Sequence, residues 1–323
     1  MIALGPGREF DRVRRVAAAL GARATGLGDD CALLAAGGRL LAVSTDVSVE
    51  DVHFRLAWLS LEEIGWRAAA AALSDLAADG ADADAVLVAL TVPAGAGDDD
   101  VVALMSGAGA AAAEVGARVV GGDLSAGPGW SVAVTALGWT AEPITRAGAR
   151  AGDGLWVTGR LGAPRAALEA WGRGEVPADE ARRAFARPVP RLYPGRWLAR
   201  HGARAMIDLS DGLGADAAHL AAASGVAAAL ELDLVPVAPA AAAEAGRLGV
   251  PPERFAAESG EEYELLVALP AGFVAEDALA FASVCGVTLT RVGEAREGAG
   301  VHARLGGSPV VLSGFDHFAP HRR

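Results

Sequence analysis

The stretch Leu40-Leu41-Ala42-Val43-Ser44-Thr45-Asp46 constrains the chain most. An apolar run of strand length stops there on two hydroxyls and a carboxylate. Apolar at successive positions, it reads as a strand buried on both faces. Open α/β sheets bind ligands at the carboxyl ends of their strands, so the polar end is expected at such a site. Similar acid endings recur at Gly28-Asp29-Asp30, Leu73-Ser74-Asp75, Gly121-Gly122-Asp123 and Ile207-Asp208-Leu209-Ser210-Asp211-Gly212. Brought together, such acids repel by about 4 kcal/mol per pair at ~4 Å and an effective dielectric of about 20. A cation relieves that repulsion. Hard carboxylate and hydroxyl oxygens suit magnesium, which binds through one or two carboxylates plus substrate phosphates. The pattern therefore points to a magnesium-dependent phosphoryl-transfer site.

What the chain lacks narrows the chemistry. All 28 basic residues are arginine, and lysine, asparagine and glutamine are missing altogether. The abundance of alanine, glycine and arginine makes genomic codon bias the plain cause. The consequence is chemical all the same. A Walker-A loop needs its lysine, and the protein-kinase machinery needs a lysine and a metal-binding asparagine, so both are excluded. Schiff-base lysine chemistry is excluded with them. A net charge of −12 argues against a nucleic-acid groove, which would carry a basic stripe. It also means that an anionic nucleotide needs local help from metal or arginine. No uninterrupted apolar run of about 18 residues occurs, so no membrane span is expected. Cys31 and Cys285 are far apart and match no metal spacing. Together with an N-terminus that lacks the apolar block of a signal peptide, they suggest a reduced, cytoplasmic setting.

A length of 323 residues allows about two domains. Residues 8–20 read as a helix, with Phe10, Val13, Ala17 and Leu20 on one side. Leu33-Leu34 and Leu40–Thr45 are strand candidates around a Gly37-Gly38 turn. Ser60-Leu61-Glu62-Glu63 is a capping box that opens a long helix ending before Gly80, with Asp75 in its last turns. The acids Asp98-Asp99-Asp100 open another helix, where they complement its dipole, and are assigned to structure. The glycine- and charge-rich stretch 141–154 is the expected junction, giving domains 1–140 and 141–323. Strands are expected at 155–159, 205–209, 227–232 and 263–269, with β structure again at 287–292 and 301–312. Thr45-Asp46 and Ser210-Asp211 both follow strands, which hints at two related α/β domains.

Each acidic signal also has a plain reading. Gly28-Asp29-Asp30 is a common turn, and Asp75 alone is a solvated helix acid. Ser210 or Asp211 can be a helix N-cap. That leaves Asp208, at the end of a buried strand, without explanation. The glycines of Gly121-Gly122-Asp123 permit close backbone approach to a phosphate. His53 reads equally as a surface residue, and Arg146 as a linker charge.

Taken in order, these motifs resemble one family. Gly28-Asp29-Asp30-Cys31-Ala32-Leu33-Leu34, Ser44-Thr45-Asp46 through Val52-His53-Phe54, Leu73-Ser74-Asp75-Leu76-Ala77-Ala78, Gly121-Gly122-Asp123, Thr145-Arg146-Ala147-Gly148-Ala149, Ile207 through Leu213, Gly260-Glu261-Glu262-Tyr263-Glu264-Leu265 and Phe315-Asp316-His317-Phe318 look like thiamine-monophosphate kinase. The resemblance spans residues 28–318. It implies an α/β (α+β) fold like that of aminoimidazole-ribonucleotide synthetase, with two related α/β domains and homodimerisation through the N-terminal one. It implies transfer of the γ-phosphoryl group of ATP to thiamine monophosphate, with several Mg²⁺ ions. By matching position, Asp30, Ser44, Thr45, Asp46, Asp75, Asp123, Asp208 and Asp211 are implied as magnesium ligands. Gly122, Asp123, Arg146 and Ser210 are implied at the nucleotide, and His53, Glu261 and Phe315 at the thiamine phosphate. Asp46, Asp123 and Arg146 are the residues expected at the transferring phosphate. Ala72, Leu124, Glu262 and Phe315 depart from the family pattern, and none of them removes an implied metal ligand.

Overall fold

A computed structural model describes residues 2–318. After helix α1 (Arg8–Leu20) come β1 (Ala32–Ala36), β2 (Arg39–Val49), α2 (Leu61–Ala78), β3 (Asp82–Pro93), α3 (Asp98–Glu114), β4 (Arg118–Gly127) and β5 (Ser131–Thr140). The five strands form one sheet in the order β1-β2-β5-β3-β4. All its neighbours are antiparallel except β3 and β4, which run parallel because α3 carries the chain back between them.

Helices α2 and α3 cover one face of this sheet. They lie close because glycines meet backbone: a Cβ on Gly65 would fall 1.8 Å from the Leu104 carbonyl oxygen, and one on Gly107 1.8 Å from that of Glu62. The expected capping box is present at the start of α2. Ser60 Oγ accepts from Glu63 N at 3.3 Å, and Glu63 Oε2 from Ser60 N at 2.9 Å. At the start of α3, Asp100 accepts from Gly97 N at 2.9 Å.

The second half runs β6 (Gly154–Thr158), α4 (Ala163–Gly172), α5 (Asp179–Ala186), α6 (Leu192–Arg200), β7 (Ala205–Asp208), α7 (Leu213–Ser224), β8 (Ala227–Glu231), α8 (Pro239–Leu248), α9 (Pro252–Ala257), β9 (Leu265–Leu269), α10 (Ala275–Cys285), β10 (Leu289–Arg296), β11 (Gly300–Leu305) and β12 (Ser308–Val310). Its seven strands form a mixed sheet in the order β12-β11-β8-β10-β6-β9-β7. The five residues of β9 and the four of β7 are all buried, as a strand packed on both faces requires.

Helix α2 joins the halves. It packs on β2 and β5 of the first sheet and also meets α5, α6 and β7 of the second half. Trp66 Nε1 donates to the Pro188 carbonyl at 2.8 Å, and Arg67 Nη1 to that of Phe185 at 2.7 Å. The helix is therefore buried on nearly every side, which its alanine-rich sequence permits.

Two expectations about the opening stretch are corrected. Leu40–Asp46 is not buried on both faces, and its acid does not end the strand. β2 continues to Val49, placing Ser44, Thr45 and Asp46 in mid-strand. Ala42, Ser44 and Ser48 are buried toward α2, while Thr45 and Val47 face out and are exposed. The first sheet is mostly antiparallel with helices on one face only, so the alternation of a half-covered sheet applies.

Candidate active site

Four structural sources deliver the acids. Asp30 comes from the loop before β1, Asp75 from α2, Asp46 from the covered face of β2 and Asp208 from the last position of β7. Carboxylate oxygens of Asp30, Asp75 and Asp208 all lie within 4.8 Å of one another. The Ser44 hydroxyl donates to Asp75. Burial pushes the carboxyl of Asp208 up to about 8 and that of Asp46 to about 6, and neighbouring carboxylates add to both. Asp75 is raised well above the ordinary range by burial, then by Asp46, Asp208 and Asp30. Asp211, one turn beyond β7, rises to about 7 for the same first reason, with Glu9 and Glu261 adding. Such acids are strained toward protonation until a cation neutralises them. Their hard oxygen donors fit magnesium.

Arg146, buried between the two sheets, is the cation this chain itself supplies. Its Nη2 donates to Asp30 Oδ1 at 2.8 Å, and its backbone N–H to Asp29 Oδ1 at 3.0 Å.

Asp46, Asp75, Asp208 and Asp211 form one end of a cleft of about 550 Å³, with Asp30 and Arg146 outside its lining and His53, Arg165, Ser210, Glu261, Tyr263 and Phe315 on its other walls. Glu261 is fixed from both sides. Arg67 forms an ion pair with it, and Tyr263 Oη donates to its Oε2 at 2.5 Å. Its backbone N–H donates to the Ser210 carbonyl at 2.7 Å, tying this loop to the turn after β7. His53 Nδ1 accepts from Val49 N at 3.0 Å, so a neutral ring carries its proton on Nε2. Burial lowers its basicity, which favours that neutral ring. Phe315 is 44% exposed and anchored by its N–H on the Asp211 carbonyl at 3.0 Å. Three non-glycine residues have clearly positive φ among those described: Asp51 at 61°, Glu261 at 64° and Tyr263 at 53°. All three line this cleft. Backbone strain of that kind is held only where the surroundings over-determine it, and it clusters at functional sites.

Not every expected residue joins the group. Thr45 lies on the open face of β2, with Oγ1 2.9 Å from that of Thr135. Asp123 is exposed on β4 and, through Ala89 and Ala133, shares a cross-strand row with Val47 on the same open face. Asp46 points to the covered face, three strand spacings away, or ~14 Å. Gly122 has a local structural reason of its own: a Cβ there would lie 1.7 Å from the Val88 carbonyl oxygen, so the strand pairing itself requires glycine.

Sequence reasoning missed Arg67 and Tyr263, which hold Glu261, and Asp29, which holds Arg146. It also missed Asp216, whose Oδ2 accepts from Gly212 N at 3.0 Å and shapes the turn beside Asp211. An arginine inside the apolar run of α2 was the available signal for Arg67.

Two successive α/β units with a buried carboxylate group where they meet define an AIR synthase-related protein. The N-terminal domain model of that family matches residues 28–140 and the C-terminal one residues 150–306. A thiamine-monophosphate kinase of Mycobacterium tuberculosis is 40% identical over 259 residues, covering 77% of each chain. One of Escherichia coli is 35% identical over 331 residues, covering 97% of this chain and 96% of the relative. Among solved structures, AaThiL complexed with AMPPCP and TMP superposes with a TM-score of 0.86 at 29% identity, covering 97% of each chain. The chain belongs to the thiamine-monophosphate kinase family.

Proposed function

We propose that this enzyme transfers the γ-phosphoryl group of ATP directly to the phosphate of thiamine monophosphate, giving thiamine diphosphate and ADP. The observation that carries the reading is the convergence of Asp30, Asp75 and Asp208 within 4.8 Å, beside a cleft whose far walls are Glu261, His53 and Phe315. Asp46 and Asp211 line the same cleft as Asp75 and Asp208 and would complete a site for more than one magnesium ion. When bound, magnesium neutralises and orients the phosphates of donor and acceptor. The chain's own residues do the rest. The guanidinium of Arg146 offers a fixed, permanently charged fork for the nucleotide phosphates, with Ser210 as a second contact, while the partner subunit's Gly122 would contribute beside the partner's Asp123. Glu261, locked by Arg67 and Tyr263, meets the cationic thiamine, and Phe315 gives it an aromatic face. No general base is needed, because the second ionisation of a phosphate monoester lies near pH ~6 and the acceptor is already mostly a dianion at pH 7. His53 then positions substrate.

We further propose a homodimer built through the open face of the first sheet. That face exposes Leu34 on β1, Val47 on β2 and Leu87 on β3, at 54, 47 and 36%. Large apolar side chains left exposed on a sheet face that no helix covers suit an interaction surface. Thr45 and Asp123 lie on it, so pairing the faces would bring the partner subunit's Asp123 toward Thr45 at β2, a strand that Asp123 cannot reach within its own chain. The domain boundary near residue 141 follows the same logic, with the first sheet ending at Thr140 and the second starting at Gly154. None of the described helices is long and apolar enough to cross a membrane.

A coupled ADP-release assay with ATP, Mg²⁺ and either thiamine monophosphate or unphosphorylated thiamine tests the reaction. ADP release that follows the monophosphate and not thiamine is expected. Equal release with both acceptors, or with neither, would reject it.

A further inference from the structure

Behind the phosphoryl-transfer acids lies a second trio. Carboxylate oxygens of Asp29, Asp30 and Asp79 also lie within 4.8 Å of one another, so Asp30 belongs to both groups. The side chains of Asp29 and Asp30 are 3% and 2% exposed. Asp79 is fully buried. Neither oxygen of Asp79 has a hydrogen-bond partner, and Oδ2 of Asp29 and of Asp30 are also unpartnered. The Cys31 thiol, a weak donor at the edge of hydrogen-bond geometry, lies beside Asp79 and favours its charged form.

Three features make an unaccompanied acid at Asp79 hard to sustain. A buried, unpartnered carboxylate is among the most costly groups a protein can hold. Asp79 also caps the C-terminus of the 18-residue helix α2, where the helix dipole is negative and a cation is favoured. Among the described residues, the positive group paired with this trio is Arg146, which reaches Asp29 and Asp30. Ionised, the three carboxylates outnumber that guanidinium by two charges. Buried polar atoms left without partners in a native fold call for an ion or water.

We propose that Asp29, Asp30 and Asp79 hold a structural divalent cation of the hard, oxygen-preferring class. It lies apart from the cleft, since neither Asp29 nor Asp79 lines it. Its place is at the C-terminal end of α2, where it pins the loop before β1 to the helix that carries Asp75. The cation is additional to those at the transferring phosphate, and the inference stands whether or not the kinase reading does.

Mn²⁺ counted by electron paramagnetic resonance, on full-length protein without nucleotide, tests it. Asp79→Asn and Asp79→Leu remove the proposed ligand, one preserving shape and the other replacing the acid with a hydrocarbon. Asp208→Asn leaves this trio intact. The site predicts one Mn²⁺ fewer than wild type in either Asp79 variant, and at least one retained in Asp208→Asn. It also predicts a smaller rise in melting temperature on adding Mg²⁺ to the Asp79 variants. The same count in wild type and whichever Asp79 variants fold would overturn the proposal and leave Asp79 as a protonated buried acid. So would an Asp208→Asn protein that binds no Mn²⁺.

Discussion

Replacing Asp208 with asparagine should stabilise the metal-free protein and destabilise its response to metal. Asp208 ends β7, is 5% exposed, and is pushed up to about 8 from an ordinary 3.8, chiefly by burial and then by Asp30. Between those values the folded chain keeps a proton that the unfolded chain has released. Stability therefore falls as pH rises through the window from about 4 to about 8. At about 1.36 kcal/mol per pH unit, that gap caps the penalty near ~6 kcal/mol at pH 8 and above. Relaxation of the acid group takes up part of it, so Asp208→Asn should gain about 2–4 kcal/mol there in EDTA. For a chain of this size that is a rise of very roughly 5–10 °C in Tm. At pH 4 the advantage should vanish, because the carboxyl is then protonated in the folded wild type. Saturating Mg²⁺ should offset most or all of that advantage, since ligand at 100 times its Kd adds about 2.7 kcal/mol to the state that binds it. Thermal unfolding with EDTA and with Mg²⁺ from pH 4 to pH 8 is the assay. A variant less stable than wild type in EDTA at pH 8, or a wild type whose Tm ignores pH between 6 and 8, would refute the electrostatic account of the site.

Other outcomes follow from the same geometry. Glu261→Gln, which keeps an acceptor for Arg67 and Tyr263, should weaken thiamine monophosphate binding and spare ATP; Arg146→Lys, which loses the fork but keeps the charge, should do the opposite. Calorimetric titration separates the two, and exchanged effects would reverse the assignment. His53→Ala should raise KM for thiamine monophosphate more than it lowers kcat, and should keep the acidic limb of the pH profile; a fall in kcat of ~10³-fold at constant KM would make the imidazole a general base. If Asp123 serves the partner's site, mixing inactive Asp123→Ala and Asp208→Asn dimers and allowing subunit exchange should restore roughly a quarter of wild-type activity, because half the dimers gain one intact site. No recovery despite proven exchange would confine each site to one chain.

Much of this arrangement is legible in the residues, and the misreadings have physical causes. The capping box at Ser60 and the acids opening α3 are local devices, and both form as their spacing predicts. Asp208 is readable because a short, wholly apolar strand ends on it. Asp46 is harder: Leu40–Val43 is apolar enough to suggest burial on both faces, yet half of it faces out from a sheet covered on one side. On the dimer proposed above, that open face is apolar for association with another chain, which no periodicity rule distinguishes from core. Asp123 sits in the right motif but on the wrong face and strand for its own chain's acids. Asp79 escaped notice because a lone acid at a helix end looks solvated, and only the closure of the two halves around α2 buries it.

On the proposed reading, phosphorus moves from ATP to thiamine monophosphate at the Asp30–Asp75–Asp208 group. Phosphorus NMR of a reaction containing ATP, Mg²⁺ and thiamine monophosphate observes that transfer directly. For the wild-type chain the paired doublets of thiamine diphosphate should grow in step with ADP, and neither should form with Asp208→Asn or with EDTA. ADP and inorganic phosphate without thiamine diphosphate, or an undiminished rate with Asp208→Asn, would contradict it.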